Sequence, residues 1–117
     1  MAAATKNPLV RLGHMRDEIA SIQAELKDVD RRGFTQNYLL VRAAERALLI
    51  ISEAAKALPR DLVARYPEID WRGVRGLGDV LRHDYNVVDA DTLWEILTEN
   101  VPEPAKVVRR MIDDLQK

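Results

Sequence analysis

The chain has no cysteine, which excludes disulfides and thiolate metal sites. It has no excess of either charge: 18 basic and 19 acidic residues leave a formal net charge of -1. That balance gives no global pull toward nucleic acid, so any RNA contact needs a local basic patch. Long apolar runs are missing too. The longest, Ala47-Leu48-Leu49-Ile50-Ile51, is far too short to span a bilayer. The N-terminus, Met1-Ala2-Ala3-Ala4-Thr5-Lys6, lacks the apolar core of a secretion signal. No segment alternates like a strand, and there is no repeat, linker or low-complexity stretch. There are two histidines, at 14 and 83, and without a thiol they make no metal site by spacing. Together these absences predict a soluble cytoplasmic protein without metal or cofactor. Its 117 residues fit one compact domain, 1–117.

What is present is helical periodicity. Asn7 followed by Pro8 is a good helix start. Leu12, Met15, Ile19, Ile22, Leu26 and Val29 follow at spacings of 3, 4, 3, 4 and 3, a heptad stripe on a helix running to about residue 29. The cluster Asp30-Arg31-Arg32-Gly33 is expected to end it. A second helix is predicted from about Asn37 to Leu58, apolar around most of its circumference and stopped by Pro59. Asp61 to Tyr66 reads as a short helix closed by Pro67. Asp70 is a plausible N-cap for a helix from Trp71 to Arg82 or His83. Asp89 or Asp91 caps another, with Leu93, Trp94, Ile96 and Leu97 on its apolar side. Asn100-Val101-Pro102-Glu103-Pro104 breaks or kinks the pattern. In the last helix Val101, Ala105, Val108, Ile112 and Leu115 repeat at 4, 3, 4 and 3. The expected fold is all-α, an up-and-down four-helix bundle with additional short helices. The nearly all-apolar second helix and the two heptad stripes favour a homodimer.

The segment Arg75-Gly76-Leu77-Gly78-Asp79-Val80-Leu81-Arg82-His83-Asp84-Tyr85 stands apart. It carries two of the five glycines inside an otherwise helical pattern, where each costs about 1 kcal/mol relative to alanine. It also holds His83, a side chain able to take and give a proton near neutral pH. The bland alternative is a helix-end histidine favoured by the dipole. The chemical alternative is a general acid/base beside a cation. Histidine with arginine is the minimal kit for metal-free RNA cleavage, the base activating a ribose 2′-OH and the guanidinium stabilising phosphate charge. Tyr85 is either an aromatic packed at the helix end or a functional phenol. Arg42, Glu45, Arg46 and Glu53 sit on the mostly apolar second helix. There they form either solvated interhelical pairs or, for Glu45 and Arg42, support for the motif. His14 lies off the heptad stripe and is expected to be exposed, and Trp71 and Trp94 are expected to be core anchors. Gly73, Gly76 and Gly78 do not form a phosphate loop, because no strand precedes them.

The residues Trp71-Arg72-Gly73-Val74, Gly76-Leu77, Val80-Leu81-Arg82-His83-Asp84-Tyr85, Val88-Asp89 and Leu93-Trp94 resemble the C-terminal half of the HepT-like HEPN proteins. These are ribonuclease toxins paired with minimal nucleotidyltransferase (MntA-type) antitoxins. The helix bearing Arg42, Arg46 and Ser52-Glu53-Ala54 is similar as well, and the likeness covers nearly the whole chain. It implies an endoribonuclease whose site forms where two protomers bring their motifs together. His83 would transfer protons, Asp79 would orient or polarise, and cleavage would be metal-independent and leave a 2′,3′-cyclic phosphate. Arg75, Arg82, Glu45 and Arg42 would support the site. Tyr85 corresponds to the tyrosine that the antitoxin modifies with AMP, placing a bulky anion in the RNA site. The implied partners are a second copy, a cognate nucleotidyltransferase antitoxin and RNA, with no membrane.

The family motif is an arginine, four to six residues, then histidine. In the four-residue form the arginine falls at position 78, which is Gly78 here. Arg75 lies eight positions before His83 and Arg82 is adjacent to it, so neither fits the spacing. Residues 78 and 83 differ by about 140° around a helix, so a dimer or a bend must unite their chemistry. Three explanations of Gly78 stay open: a natural inactive homologue, replacement by Arg75 or Arg82, or an introduced change. The last fits the otherwise intact motif and leads to the expectation that Gly78→Arg restores cleavage. The alternative function is a non-catalytic helical dimer that binds a nucleotidyltransferase antitoxin.

Overall fold

The structure, a computed structural model, describes residues 7–84 and 86–117. The N-terminal stretch Met1 to Lys6 and the tyrosine at 85 lie outside the described residues. Among the described residues seven α-helices follow in order: α1 (Pro8–Leu26), α2 (Arg31–Thr35), α3 (Tyr38–Lys56), α4 (Arg60–Val63), α5 (Trp71–His83), α6 (Ala90–Glu95) and α7 (Pro102–Leu115). A π-helical turn, Ile96–Asn100, joins α6 to α7. Among the described residues all regular structure is helical, as the periodicities require.

Short polar side chains start five of these helices. Asn7, Asp30, Asn37, Asp70 and Asp89 each accept a hydrogen bond from a backbone N–H in the first turn, at 2.7 to 3.1 Å. Each satisfies a donor that would otherwise lack a partner. Asp30 shows where the sequence reading fell short. Its cluster does not simply end the first helix; its carboxylate caps α2 through the Gly33 N–H. The first helix stops at Leu26, because Asp28 takes a left-handed φ of 63° that aspartate tolerates better than most residues. Val29 still packs on the core from the following turn.

The π turn has a covalent cause. Pro102 and Pro104 lack N–H groups, and in an unbroken α-helix their rings would press on the carbonyls four residues earlier. The chain widens instead, and the Val101 N–H bonds the Ile96 carbonyl at 3.0 Å. The break expected around Asn100 to Pro104 is therefore a widened turn between two nearly continuous helices.

Helix α3 is the centre of the bundle. It packs against α1 and α5, with α2 and α6 at its N-terminal end, while α7 closes on α1. The stripe Leu12, Met15, Ile19 and Ile22 is buried, as are Val101, Ala105, Val108 and Ile112. Val107 and Met111 join them from outside that repeat. Between α5 and the π turn the bundle stays open, leaving an apolar groove of about 460 Å³ floored by Met15, Leu48 and Ile51. Two ring systems pin the short elements. Trp71 is buried, and its Nε1–H donates to the Tyr66 carbonyl at 2.9 Å. Trp94 is half-buried against Phe34, with ring centroids 5.6 Å apart.

Phe34 is fully buried and belongs to a helix of five residues, which is too short to persist alone. Phe34→Ala should lower unfolding stability by about 3–5 kcal/mol, read from thermal or urea denaturation by circular dichroism. A loss below about 1 kcal/mol would show that Phe34 does not anchor α2.

Candidate active site at the crossing of two helices

The motif helix α5 crosses α3, and two small residues, Ser52 and Gly78, meet at the crossing. Ser52 is fully buried. Its hydroxyl donates to the Arg75 carbonyl at 2.9 Å and accepts from the Gly78 N–H at 3.0 Å. A buried hydroxyl is costly without partners, and here the backbone of α5 supplies both. The approach is possible because position 78 has no side chain. A Cβ built there would sit 2.5 Å from Ser52 Oγ and 2.9 Å from its Cβ. Gly78 is thus a packing residue. The expectation of a vacant arginine slot at 78 does not fit this geometry, since an arginine would have to push α5 off α3. The fitted contact also weakens the explanation by an introduced change, because truncating an arginine would leave a void.

Four charged side chains close the crossing on its outer side. Arg82 donates to Glu53 at 2.9 Å and to Asp79 at 3.0 Å. Lys56 donates to Asp79 at 2.6 Å and pairs with Glu53 Oε2 at 3.3 Å. The last contact is an ion pair rather than a well-directed hydrogen bond, since Glu53 Oε2 is shut from solvent without a hydrogen-bond partner. Lys56 first, then Arg82, hold the Asp79 carboxyl below the usual carboxylate range. Asp79 in turn raises the Lys56 ammonium above its ordinary value. Isolated exposed pairs contribute little, but a closed network of four orients its members. Asp79 is therefore paired and ionised, suited to orienting Arg82 and not to abstracting a proton.

His83 is the last residue of α5, where the dipole favours a cation. It is exposed, and among the described residues it has no hydrogen-bond or ion-pair partner. The helix closes behind it when the Asp84 N–H bonds the Val80 carbonyl at 2.8 Å. Arg75 is half-buried, its Nε without a hydrogen-bond partner and its carbonyl taken by Ser52. Of the two candidate replacement cations, Arg82 is the one held beside His83, on the next residue and fixed by carboxylates on two helices.

Arg42 and Glu45 are not part of this cluster. They pair with each other at 2.8 Å, and the Arg42 guanidinium lies 4.9 Å from the Tyr38 ring centroid. They face Asn86, Val88 and Asp89 across a separate groove of about 660 Å³, which borders the segment just after the motif. Tyr85, the expected modification site, lies outside the described residues. Sequence reasoning missed Lys56 and the locking role of Ser52. A signal for Lys56 was present: Glu53 and Lys56 on one helix, Asp79 and Arg82 on the other, form two opposite-charge pairs at i, i+3. Among the described residues no group of three or more His, Cys, Asp or Glu could hold a metal ion. No described helix is long and apolar enough to cross a membrane.

Residues 15–111 match the family described as Ribonuclease HepT-like. A Methanocaldococcus jannaschii protein named as an inferred RNase is 36% identical over 91 residues, covering 78% of this chain and 78% of its own. Another, from Caldanaerobacter subterraneus subsp. tengcongensis, named in the same way, is 30% identical over 107 residues, 92% of this chain and 96% of its own. A Thermococcus cleftensis protein named as an inferred ribonuclease HepT is 43% identical over 60 residues, 51% of this chain and 54% of its own. No solved structure matches the chain.

Adding one methyl at the crossing tests the packing role of position 78. Alanine is the better helix former, worth about 1 kcal/mol over glycine. Gly78→Ala should nevertheless destabilise by about 1–3 kcal/mol, because its Cβ meets a buried Ser52. In a Ser52→Gly background the same change should be neutral or stabilising. A double-mutant cycle from urea denaturation reads the coupling, and additive effects would refute the lock.

Proposed function

The chain belongs to the HepT-like ribonuclease family, and on that premise we propose that it is a metal-independent endoribonuclease acting as the toxin of a toxin–antitoxin pair. The observation that carries this reading is His83, an exposed imidazole on the last turn of α5 inside the matched region. It accepts the proton of a ribose 2′-OH, and the 2′-oxygen attacks the adjacent phosphorus. The 5′-oxygen leaves with a proton, giving a 2′,3′-cyclic phosphate and a 5′-hydroxyl. Arg82, oriented by Glu53 and Asp79, is the cation placed to stabilise the phosphorane in the absence of an arginine at 78. The exposed position of His83 suits a cytoplasmic homodimer that brings two such turns to one cleft, where RNA lies between them. Arg42 and Glu45 support the segment that follows the motif.

The chain's own partner, in this reading, is a minimal nucleotidyltransferase antitoxin. It transfers AMP from ATP to the Tyr85 phenol and releases pyrophosphate. The added phosphate, two residues past His83, would block the strand by bulk and by anion repulsion. Gly78 favours a second reading, a helical dimer that binds this antitoxin and cuts nothing, because the cation of the family motif is missing and its position is filled by packing.

RNA cleavage measured in EDTA separates the two. The original chain should release 5′-hydroxyl fragments, and His83→Ala should reduce the rate by about 100-fold or more. Arg82→Ala should slow cleavage with the fold retained. No cleavage by the original chain favours the binding module. Incubation with a nucleotidyltransferase antitoxin and ATP should add AMP mass on Tyr85 alone, and an unmodified Tyr85 peptide would remove the regulatory part.

A further inference from the structure

Helices α1, α3 and α5 meet around a third groove, of about 310 Å³. Leu49 and Ile50 of α3 line its floor. Around them stand Arg11 and His14 from α1, Arg46 from α3 and Arg82 from α5. The residues at 11 and 14 are one turn apart and so share a helix face. Glu53 is the carboxylate in the lining, and Arg82 and Lys56 already engage it at 2.9 and 3.3 Å. The chain as a whole carries a net charge of -1, so this gathering of cations is made by the fold and not by composition. His14 and Arg46 are exposed, and neither has a hydrogen-bond or ion-pair partner among the described residues.

We propose that this groove binds the phosphodiester backbone of RNA. The argument rests on three features. Guanidinium forks match phosphate oxygens in geometry and charge. Among the described residues the lining holds no phenyl, phenol or indole ring, so these residues offer phosphate contacts rather than the stacking platforms that hold bases. Arg82 both lines the groove and immediately precedes His83, so a strand lying in it is led to the last turn of α5. The groove then sets register and affinity without reading sequence, and Arg46 and His14 are its positioning contacts. This inference rests on the ribonuclease reading and adds to it the path of the substrate.

The test uses a fluorescent oligoribonucleotide with 2′-O-methyl groups, which binds but cannot be cleaved, and anisotropy over a series of KCl concentrations in EDTA. The combined His14→Gln and Arg46→Gln variant should bind about tenfold more weakly, the loss expected for charge-assisted phosphate contacts. Its slope of log affinity against log salt should fall by about 0.7 for the arginine removed. Arg46→Lys, which keeps the charge but loses the fork, should keep the salt slope of the original chain. Both substituted residues are exposed, so an unchanged thermal melt accompanies the comparison. A double variant with the original affinity and salt slope overturns the proposal. Absence of binding by the original chain overturns it as well. His83-dependent cleavage of unmodified RNA, measured in parallel, tells whether the ribonuclease reading survives that failure.

Discussion

The close approach of α3 and α5, made by a buried serine against a glycine, sets the position of everything that acts in this protein. The Ser52 hydroxyl has no access to water and satisfies both its donor and its acceptor capacity on the backbone of α5. A Cβ at 78 would sit 2.5 Å from Ser52 Oγ and 2.9 Å from its Cβ, so the contact would have to give way. With the helices this close, the charges on their outer edges fall within reach of each other, and Glu53, Lys56, Asp79 and Arg82 close into a network. The buried contact comes first in this causal order. Surface ion pairs are too weak to draw helices together, but they can orient side chains on helices that packing has already fixed.

From that constraint follows the character of the candidate site. It is rigid at its base and open at its tip. Arg82 is held by two carboxylates, while His83, one residue on, projects into solvent at the helix C-terminus. A proton-transfer group needs access to its substrate, and a charge-stabilising group needs a fixed orientation. Adjacent residues at a helix end provide both, because successive side chains point about 100° apart. The arrangement keeps one cation, Arg82, fixed on the residue before the exposed histidine.

Much of the fold could be read from the residues. The stripes on α1 and α7, the caps Asn7, Asp70 and Asp89, and the stop at Pro59 all act within a few residues along the chain, so local rules locate them. The places where reading failed share one cause. Asp30 looked like the polar end of a helix and is the cap of the next one, which depends on where Gly33 turns. Gly78 looked like a gap in a motif and is a contact, which depends on a residue 26 positions earlier. His14 looked merely exposed, and it is exposed, but beside arginines brought by two other helices.

The helices, their buried faces and the likeness of the motif to a ribonuclease family are legible in the residues alone, because periodicity, capping and motif spacing are written in short stretches of chain. The packed helices were needed to show that Gly78 is a packing residue, that Lys56 joins Arg82 around Asp79, and that cations from three helices share one groove. Those facts depend on how two helices cross, and the crossing is set by the volumes of side chains far apart in sequence, which no local pattern encodes.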